Sequence, residues 1–465
     1  MKVKFAIIVA GRGVFPASLI SQAKEQLFKA LKENSMEYIV LPDQATETGA
    51  VQTMRDAEKC AALFREHSAE IGGVIVCMPN FGEEAPIFHS IKLAGLDVPV
   101  LVQACDDEDD KLSLDERRDS FCGKISVCNN LYYGGIKSSL HTCALDSEAF
   151  AKDLRKFSKV CEVVYAMRHA RIGLIGMRPD PFRTVRFSEK ILQRSGVTTC
   201  VADLSELIAA AKRMDDTARI AEYMDKIREY GSIPACISGD KVEKQAKLIL
   251  AVKDWLVENG CDAFAMQCWN SIEDNYGCAA CLSMSMLGEE GFPGACESDA
   301  MGALTMLALN IASGGKSAYM DWNNNFTEDR NVCINQHCGN FPKSFFGSPI
   351  EISNLDILAK GIGADKCFGA CKGQVAAGPI TYAKIATDDN RGVIKAYCGK
   401  GELLDTRVPS FGALSLWKIP GLQELLNYIC TNGFEHHVAA VRGDCAEILE
   451  EALGKYMGWE LHLHS

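Results

Sequence analysis

The chain has 465 residues, which is too long for one hydrophobic core and predicts about three domains at roughly 150 residues each. A hydrophobic content of 48% and a mean hydropathy of −0.02 are typical of a globular protein, and no apolar stretch reaches the roughly 18 residues of a membrane span. The net charge of −12 disfavours a nucleic-acid partner, because binding to phosphates requires a basic surface.

The first ten residues, MKVKFAIIVA, are predicted to form a strand rather than a signal peptide. The segment Gly11-Arg12-Gly13 ends the apolar run, and no cleavage site follows it. The 21 cysteines are dispersed through predicted strands and helices, so we expect reduced thiols in the core of a cytoplasmic protein. An iron–sulfur or zinc site at Cys278 and Cys281, with Cys268 and Cys296 nearby, is the alternative.

In the first third of the chain, apolar strand-like runs alternate with helical patterns. Strands are predicted at residues 3–10, 38–41, 73–77 and 98–102, and helices at 17–31 and 54–67. This βαβ pattern predicts a Rossmann-like doubly wound domain over residues 1–168.

A second set of strands and helices begins near residue 171 and includes strand-like runs at 197–201 and 261–267. It predicts a second Rossmann-like domain over residues 169–348. After about residue 350, glycines separate short β-like runs such as 380–385 and 392–397, which predicts a mainly β domain over residues 349–465. The predicted fold class is therefore α/β, with two doubly wound domains followed by a mainly β C-terminal domain.

Two acids adjoin apolar runs of the predicted central domain. Glu273 follows the run at 263–266, and Glu297 precedes a helical stretch at 301–309. Because ligand sites in open α/β sheets lie at the carboxyl ends of strands, we expect both acids to face one crevice. The alternative is that each is a first-turn acid stabilised by a helix dipole.

Three histidines of the second half, His337, His436 and His437, add imidazole donors to these acids. Since adjacent residues of a strand point to opposite faces, one of His436 and His437 is expected to reach a metal and the other to lie behind it. Carboxylates combined with imidazole favour Mn²⁺ over Zn²⁺. For His337 the alternative is a loop histidine that is hydrogen-bonded to backbone.

Arginines lie in loops beside turn-forming residues, at Arg12, at Arg117 and Arg118, and at Arg178. Each is either a structural residue or a contact for a substrate. A nucleotide role for the Arg12 loop is disfavoured, because the chain has no glycine-rich dinucleotide motif and no Walker lysine pattern there.

Several short segments resemble L-fucose isomerase and L-arabinose isomerase-like proteins, in a less characterised branch of that family, and the likeness extends over nearly the full chain. The segments are PNFGEE (79–84), RDSFCG (118–123), RPDPF (178–182), CESD (296–299), DWNN (321–324), HCGNFP (337–342), GFEHH (433–437) and GD (443–444). The resemblance implies that Glu273 and Glu297 bind Mn²⁺ and act on the sugar. It also implies a C-terminal histidine ligand, for which the position before Val438 favours His436, while His337 is similar to the mid-chain metal histidine of the arabinose branch.

The resemblance predicts an aldose–ketose isomerase that acts on a free sugar through an enediol. Mn²⁺, with Co²⁺ or Mg²⁺ as alternatives, is expected to polarise the carbonyl. One of Glu273 and Glu297 is expected to remove the C2 proton and the other to move protons between oxygens or to C1, with the assignment open.

The expected substrate contacts are Gln267, Trp269, Asn323 and His437, with Arg12 supplied by a neighbouring subunit of a homotrimer or hexamer whose active sites lie near subunit interfaces. Two alternatives stay open. One is an isomerase for a modified hexose such as 6-sulfonated sulfoquinovose, for which the arginine-containing loops offer anion contacts. The other is a non-catalytic sugar-binding or regulatory protein.

Overall fold

The computed structural model describes residues 3–113, 115–405 and 411–464. The chain divides into two compact units. One extends to Tyr165 and also contains Glu451–Met457, and the other contains Ala166–Glu450 and continues from Gly458. The three predicted domain boundaries stay predictions.

The first unit is built on parallel strands that alternate with helices. Its elements are β1 Lys4–Val9, α1 Ser18–Glu33, β2 Tyr38–Val40, α2 Met54–Glu66, β3 Ile71–Met78, α3 Glu84–Ala94, β4 Val100–Ala104, α4 Ser120–Tyr133 and β5 Ser138–Thr142, and α5 Glu148–His169 begins in it. In the described residues these strands form one parallel sheet of order β2-β1-β3-β4-β5. Every residue of β3 is buried, as expected for a strand covered on both faces.

The second unit begins with another parallel sheet. Its elements are β6 Arg171–Ile175, α6 Glu189–Arg194, β7 Thr198–Ala202, α7 Leu204–Arg213, α8 Thr217–Tyr230, α9 Gly239–Glu258, β8 Ala263–Met266, α10 Ser271–Asn275, α11 Cys281–Glu290, β9 Gly294–Ala295 and α12 Ala300–Ser313. The strand order is β7-β6-β8-β9, and all pairs are parallel. The carboxyl ends of β8 and β9 therefore lie side by side.

The rest of the second unit is mainly β. It comprises β10 Ala318–Asn325, β11 Val332–His337, β12 Glu351–Asn354, α13 Asp356–Ile362, β13 Phe368–Gln374, β14 Gly378–Asp388, β15 Val393–Leu404, β16 Ala413–Lys418, α14 Leu422–Thr431, β17 His437–Arg442, α15 Ala446–Leu449 and β18 Glu460–His464. Among the described residues the sheet order is β12-β13-β16-β11-β10-β17-β14-β15-β18, and β10 is antiparallel to both of its neighbours. Buried aromatic residues, among them Tyr382, Tyr397 and Trp417, pack against one another on this sheet.

The predicted fold class is confirmed, since parallel α/β sheets precede a mainly β sheet. The first two strands of that sheet, β10 and β11, already occur before residue 349, at the end of the predicted central domain. Within the described part of the chain, no helix combines the length and apolar character needed to cross a membrane.

Candidate active site

Glu297 lies in the tight segment that joins β9 to α12. The backbone φ is 54° at Glu297 and 55° at Ser298, in the left-handed region that residues other than glycine seldom adopt. The Ser298 N–H donates to the Met266 carbonyl at 3.3 Å, which ties this turn to the end of β8. Strained backbone at two consecutive non-glycine residues marks the segment as a candidate functional position.

The mainly β sheet supplies Asp321 and His437. Asp321 on β10 is directly opposite His437 on β17 in the antiparallel register. Opposed residues of neighbouring strands place their side chains on the same face. His337 ends β11, on the other side of β10. Three neighbouring strands therefore deliver a carboxylate and two imidazoles toward Glu297.

Polar atoms of Glu297, Asp321 and His437 converge on one point. The His437 Nε2 atom is 3.3 Å from Asp321 Oδ1 and 3.7 Å from Glu297 Oε2. None of these three atoms has a hydrogen-bond partner, although each is buried. Leaving two carboxylate oxygens and an imidazole nitrogen unpaired in a protein interior is unfavourable. The arrangement therefore fits a bound cation, and the donor types fit a divalent ion such as Mn²⁺.

Two further histidines flank this point. His337 Nε2 is 3.6 Å from Glu297 Oε2, and His436 Nε2 is 3.6 Å from Asp321 Oδ1. The described residues contain three groups of potential ligand atoms. Two include histidines, one of Glu297, His337 and His437 and the other of Asp321, His436 and His437, and the third combines Glu297 with Cys268 and Cys296. Only His437 belongs to both of the histidine-containing groups. It is fully buried, whereas the side chain of His436 is 41% exposed.

The surroundings of Glu297 favour its ionised form. Burial by itself would raise the pKa of Glu297, but the charge and hydrogen bond of His337 lower it below its ordinary value. The Cys268 thiol also donates a hydrogen bond to Glu297 Oε1, at 3.5 Å. Glu297 is thus an anion at neutral pH, as a metal ligand or a general base requires.

A second buried set lies behind His437. Asp299 Oδ2 is 3.2 Å from His437 Nδ1 and accepts hydrogen bonds from Lys384 Nζ at 2.5 Å and from the Tyr319 hydroxyl. Asp299, Lys384 and His437 are all fully buried. Although burial opposes ionisation, Lys384 and His437 hold the pKa of Asp299 well below its usual range. Asp299 is therefore a buried anion. It faces Nδ1 of His437, whereas Nε2 of the same ring faces Glu297 and Asp321.

Glu273 is placed elsewhere. It lies in α10, after β8, is fully buried, and both of its carboxylate oxygens lack a hydrogen-bond partner. Burial raises the pKa of Glu273 to about 7. Among the described residues, none of the potential metal-binding groups includes it. The structure thus brings together Glu297, His337, His436 and His437 of the predicted ligands and leaves Glu273 apart, and a catalytic role for Glu273 stays a prediction.

The predicted substrate contacts are partly assembled. Trp269, at a positive φ of 58°, packs edge-on against Phe182 with ring centroids 5.2 Å apart. Phe182 in turn lies 6.0 Å from the His436 ring and 6.4 Å from the His437 ring. Phe182 and Trp269 therefore form an aromatic wall beside the converging donors. Asn323 is exposed on β10, two residues after the ligand position Asp321.

The side-chain amide of Gln267 is hydrogen-bonded to two neighbouring loop residues. Its Oε1 accepts from the Met177 N–H at 3.0 Å, and its Nε2 donates to Ser271 Oγ at 2.9 Å. These bonds stabilise the loop around it, and a substrate contact by Gln267 stays a prediction.

Arg12 belongs to the first unit. It pairs there with Glu83 at 3.0 Å and Glu84 at 3.2 Å, and its guanidinium lies 4.0 Å from the centre of the Phe81 ring. A contact between Arg12 and substrate in a neighbouring subunit stays a prediction.

Thiols adjoin the site without forming disulfides. All 21 cysteines lie in the described residues and are free. Cys296 Sγ is 3.5 Å from Cys268 Sγ. Burial raises the pKa of Cys268 to about 12, so this thiol is neutral at physiological pH. Of the four cysteines in the predicted alternative thiolate site, Cys268 and Cys296 form a potential metal-binding group with Glu297, whereas no such group among the described residues includes Cys278 or Cys281.

Sequence reasoning missed Asp321, Asp299 and Lys384. Asp321 lies in the DWNN segment and directly follows three buried residues of β10. Lys384 is a charged residue inside the buried run of β14. A charged residue inside an otherwise apolar strand is a usable signal, because burying a lone charge is unfavourable unless a partner is present.

Two family descriptions match this chain. Residues 6–168 match the N-terminal domain of the fucose/sulfoquinovose isomerase family, and residues 335–464 match the C-terminal domain of L-fucose isomerase. His337, His436 and His437 fall inside the second matched region, whereas Glu297 and Asp321 fall between the two regions.

Similar proteins carry related names. A sulfoquinovose isomerase from Priestia aryabhattai is 26% identical over 322 residues, which cover 69% of this chain and 70% of that protein. A sulfoquinovose isomerase from Alkalicoccus urumqiensis is 24% identical over 308 residues, covering 66% and 68% respectively. A solved glucose-galactose binding protein from Geobacillus stearothermophilus is 13% identical, covering 67% of this chain and 92% of that one, and its TM-score of 0.17 is too low to support an argument.

Proposed function

Since this chain belongs to the fucose isomerase-like family and is an aldose–ketose isomerase, we propose that its reaction centre is the set Glu297, Asp321 and His437. The observation that carries the proposal is the convergence of three buried, unpaired atoms, Glu297 Oε2, Asp321 Oδ1 and His437 Nε2. These residues would hold one divalent cation, with His337 and His436 beside them. Mn²⁺ fits the donor set best, and Co²⁺ and Mg²⁺ are the alternatives.

A bound divalent cation supplies a Lewis acid that polarises the sugar carbonyl and makes the adjacent C–H bond more acidic. The chain itself supplies two carboxylates for the proton transfers. One carboxylate removes the proton from C2 of the open-chain aldose while O1 takes up a proton, which gives the enediol with C1 and C2 joined by a double bond. A proton is then returned to C1 while the O2 proton leaves, which gives the ketose.

The two carboxylates differ in access to solvent. The Asp321 side chain is 29% exposed, whereas that of Glu297 is 2% exposed. We assign to Asp321 the proton transfer that exchanges with water, and to Glu297 the transfer inside the closed part of the site. Phe182 and Trp269 cover the neighbouring surface and limit the water that reaches the enediol.

The test is turnover in D₂O with an aldose panel and Mn²⁺. We expect deuterium at C1 of the ketose, because the proton removed from C2 passes through a carboxylate that exchanges with solvent. Label-free ketose would instead support a direct hydride shift and would contradict the roles given to Glu297 and Asp321. Tight sugar binding without turnover would favour a non-catalytic sugar-binding protein.

A second candidate concerns the substrate, an aldohexose with a sulfonate at C6. The names of the similar proteins favour it, and so does the loop that carries Phe182. Phe182 packs beside His436 and His437, and Arg178 and Arg183 flank it in the chain. Guanidinium groups suit an anionic oxygen cluster.

Comparing kcat/KM for sulfoquinovose with that for glucose, which lacks the sulfonate, tests this candidate. We expect sulfoquinovose to be preferred and Arg183→Gln to reduce that preference. Equal rates for both sugars would contradict it.

We also propose a cytoplasmic homo-oligomer, a trimer or hexamer. Cytoplasmic location is supported by the 21 free thiols, which are typical of a reducing compartment. Light scattering of the purified protein measures the assembly size, and a monomer at micromolar concentration would contradict the proposal.

A further inference from the structure

His437 has different neighbours at its two ring nitrogens. Nδ1 faces Asp299, which is hydrogen-bonded to Lys384, and Nε2 faces Glu297 and Asp321. A neutral imidazole has one protonated and one free nitrogen, and the hydrogen bond made by one nitrogen decides which of the two can bind a metal. His437 Nδ1 is 3.2 Å from the Asp299 carboxylate, which can only accept when ionised. His437 Nε2 faces Glu297 and Asp321 and has no hydrogen-bond donor as a neighbour among the contacts that the structure shows.

We propose that Asp299 and Lys384 are positioning residues that hold His437 in the tautomer with its proton on Nδ1, so that the Nε2 lone pair faces Glu297 and Asp321. The inference rests on the proposed function, because it assigns a purpose to that lone pair. It adds two residues that do not themselves touch the metal or the sugar.

Lys384 is suited to this role by its position. Its Nζ lies 2.5 Å from Asp299 Oδ2, and both side chains are fully buried. The other charged neighbour of Lys384, Glu435, is farther away, at 3.9 Å. A buried carboxylate without a counter-charge would take up a proton or displace the surrounding structure. Lys384 therefore holds Asp299 Oδ2 in place by a charged hydrogen bond, in the position where this oxygen faces His437 Nδ1.

The two carboxylate oxygens of Asp299 accept hydrogen bonds from different groups. Oδ1 accepts from the Gly302 N–H at 2.8 Å and caps α12, while Oδ2 serves His437, Lys384 and Tyr319. Asparagine is as good a helix N-cap as aspartate, so Asp299→Asn retains the cap. Its amide group, unlike a carboxylate, can donate to His437 Nδ1, which would move the imidazole proton to Nε2.

The test is the double variant Asp299→Asn/Lys384→Met, which removes both charges of the buried pair together. Removing the pair together leaves neither Asp299 nor Lys384 as an uncompensated charge, so the fold is expected to be retained. The matched control is Asp388→Asn/Lys395→Met, which removes another largely buried pair of the same unit, with Lys395 Nζ 3.4 Å from Asp388 Oδ2. Thermal unfolding of the metal-free proteins checks that both variants are folded.

The first readout is Mn²⁺ affinity, measured by electron paramagnetic resonance titration of metal-free protein. We expect the Asp299/Lys384 variant to bind about 10- to 100-fold more weakly than wild type, and the control to stay within about twofold. Equal affinity of the Asp299/Lys384 variant and wild type would overturn this inference while leaving the proposed metal site intact. Failure of wild type to bind Mn²⁺ would overturn both.

The second readout does not depend on metal. Nitrogen NMR shifts of histidine-labelled, metal-free protein report which ring nitrogen carries the proton, with His437 assigned by its absence in His437→Gln. We expect the proton on Nδ1 in wild type and on Nε2 in the Asp299/Lys384 variant. A wild-type His437 with its proton on Nε2 would overturn the inference regardless of the affinities.

Discussion

Glu297 and Glu273 are buried carboxylates that follow neighbouring strands of one parallel sheet, and they differ in what surrounds them. His337 lowers the pKa of Glu297, and Glu297 Oε2 lies close to unpaired atoms of Asp321 and His437. Among the described residues no potential metal-binding group includes Glu273, and burial raises its pKa to about 7. Burial alone thus moves a carboxylate toward its neutral form, whereas burial among convergent donors makes an anion that suits a cation.

The largest expected effect comes from removing the metal. Treatment with a chelator is expected to abolish isomerase activity, and added Mn²⁺ is expected to restore it, because the cation supplies the Lewis acid of the reaction. Mn²⁺ at 100 times its dissociation constant should also stabilise the folded protein by about 2.7 kcal/mol. Activity that survives exhaustive chelation, with no metal left by elemental analysis, would contradict the proposed centre.

Glu297→Gln and Asp321→Asn are expected to reduce kcat by about 10²- to 10⁴-fold each, the usual contribution of a general acid or base. Glu273→Gln is the matched control, since it neutralises an equally buried glutamate after the adjacent strand. We expect this control to retain more than a tenth of the wild-type kcat. The comparison between Glu297 and Glu273 would fail if Glu273→Gln were as inactive as Glu297→Gln, and the sequence-based role for Glu273 would then stand.

His437→Gln is expected to weaken Mn²⁺ binding by more than the roughly 10- to 100-fold that is typical for loss of a hydrogen-bond partner behind a ligand, because it removes the ligand itself. His436→Gln is the control, and a smaller effect is expected because His436 is 41% exposed and its Nε2 approaches only one of the two acids. Isothermal titration of metal-free protein measures both affinities. A larger loss for His436→Gln than for His437→Gln would restore the sequence-based choice of His436 as the principal ligand.

The last expected effect concerns stability rather than activity or binding, and it is the pH dependence of unfolding at Glu273. Its pKa is raised from 4.5 to about 7 in the folded state, so its contribution to stability is fully present below pH 4.5 and is lost as the pH rises through 7. At one pKa unit per 1.36 kcal/mol, the loss is at most about 3 kcal/mol. Glu273→Gln, which stays neutral, is therefore expected to gain stability relative to wild type between pH 4.5 and 7.

Differential scanning calorimetry of metal-free protein at several pH values measures this gain. Glu402→Gln, which changes an exposed acid of β15 in the same unit, is the control and should show no comparable trend. A difference between Glu273→Gln and wild type that does not change with pH would contradict the raised pKa.

The predicted fold was accessible from local patterns. The predicted runs at 3–10, 73–77 and 261–267 correspond to strands β1, β3 and β8, because a continuous apolar run between helical patterns suits a strand covered on both faces. The candidate site was only partly accessible. Local patterns indicate Glu297 and His437, because both are polar residues beside such runs. They do not indicate Asp321 as a metal ligand, since the pairing of β10 with β17 joins residues more than a hundred positions apart.

The choice between His436 and His437 illustrates the same division. Side chains alternate between the two faces of a sheet only for residues that belong to a strand. His436 precedes β17, which begins at His437, so this rule does not apply to the pair. Both rings therefore lie on the same side, with centroids 4.1 Å apart. Which histidine is buried against the acids depends on where the strand starts, and that is determined by pairing with β10.

The sequence by itself determined the α/β class, the family resemblance and most of the residue types that the chemistry needs, because these depend on composition, periodicity and short motifs. Tertiary structure alone decided which acids meet. Glu273 and Glu297 follow adjacent strands, yet only Glu297 meets Asp321 and His437, which come from β10 and β17 of another sheet. Distances between atoms of different sheets depend on packing, and neither spacing nor residue type encodes them locally.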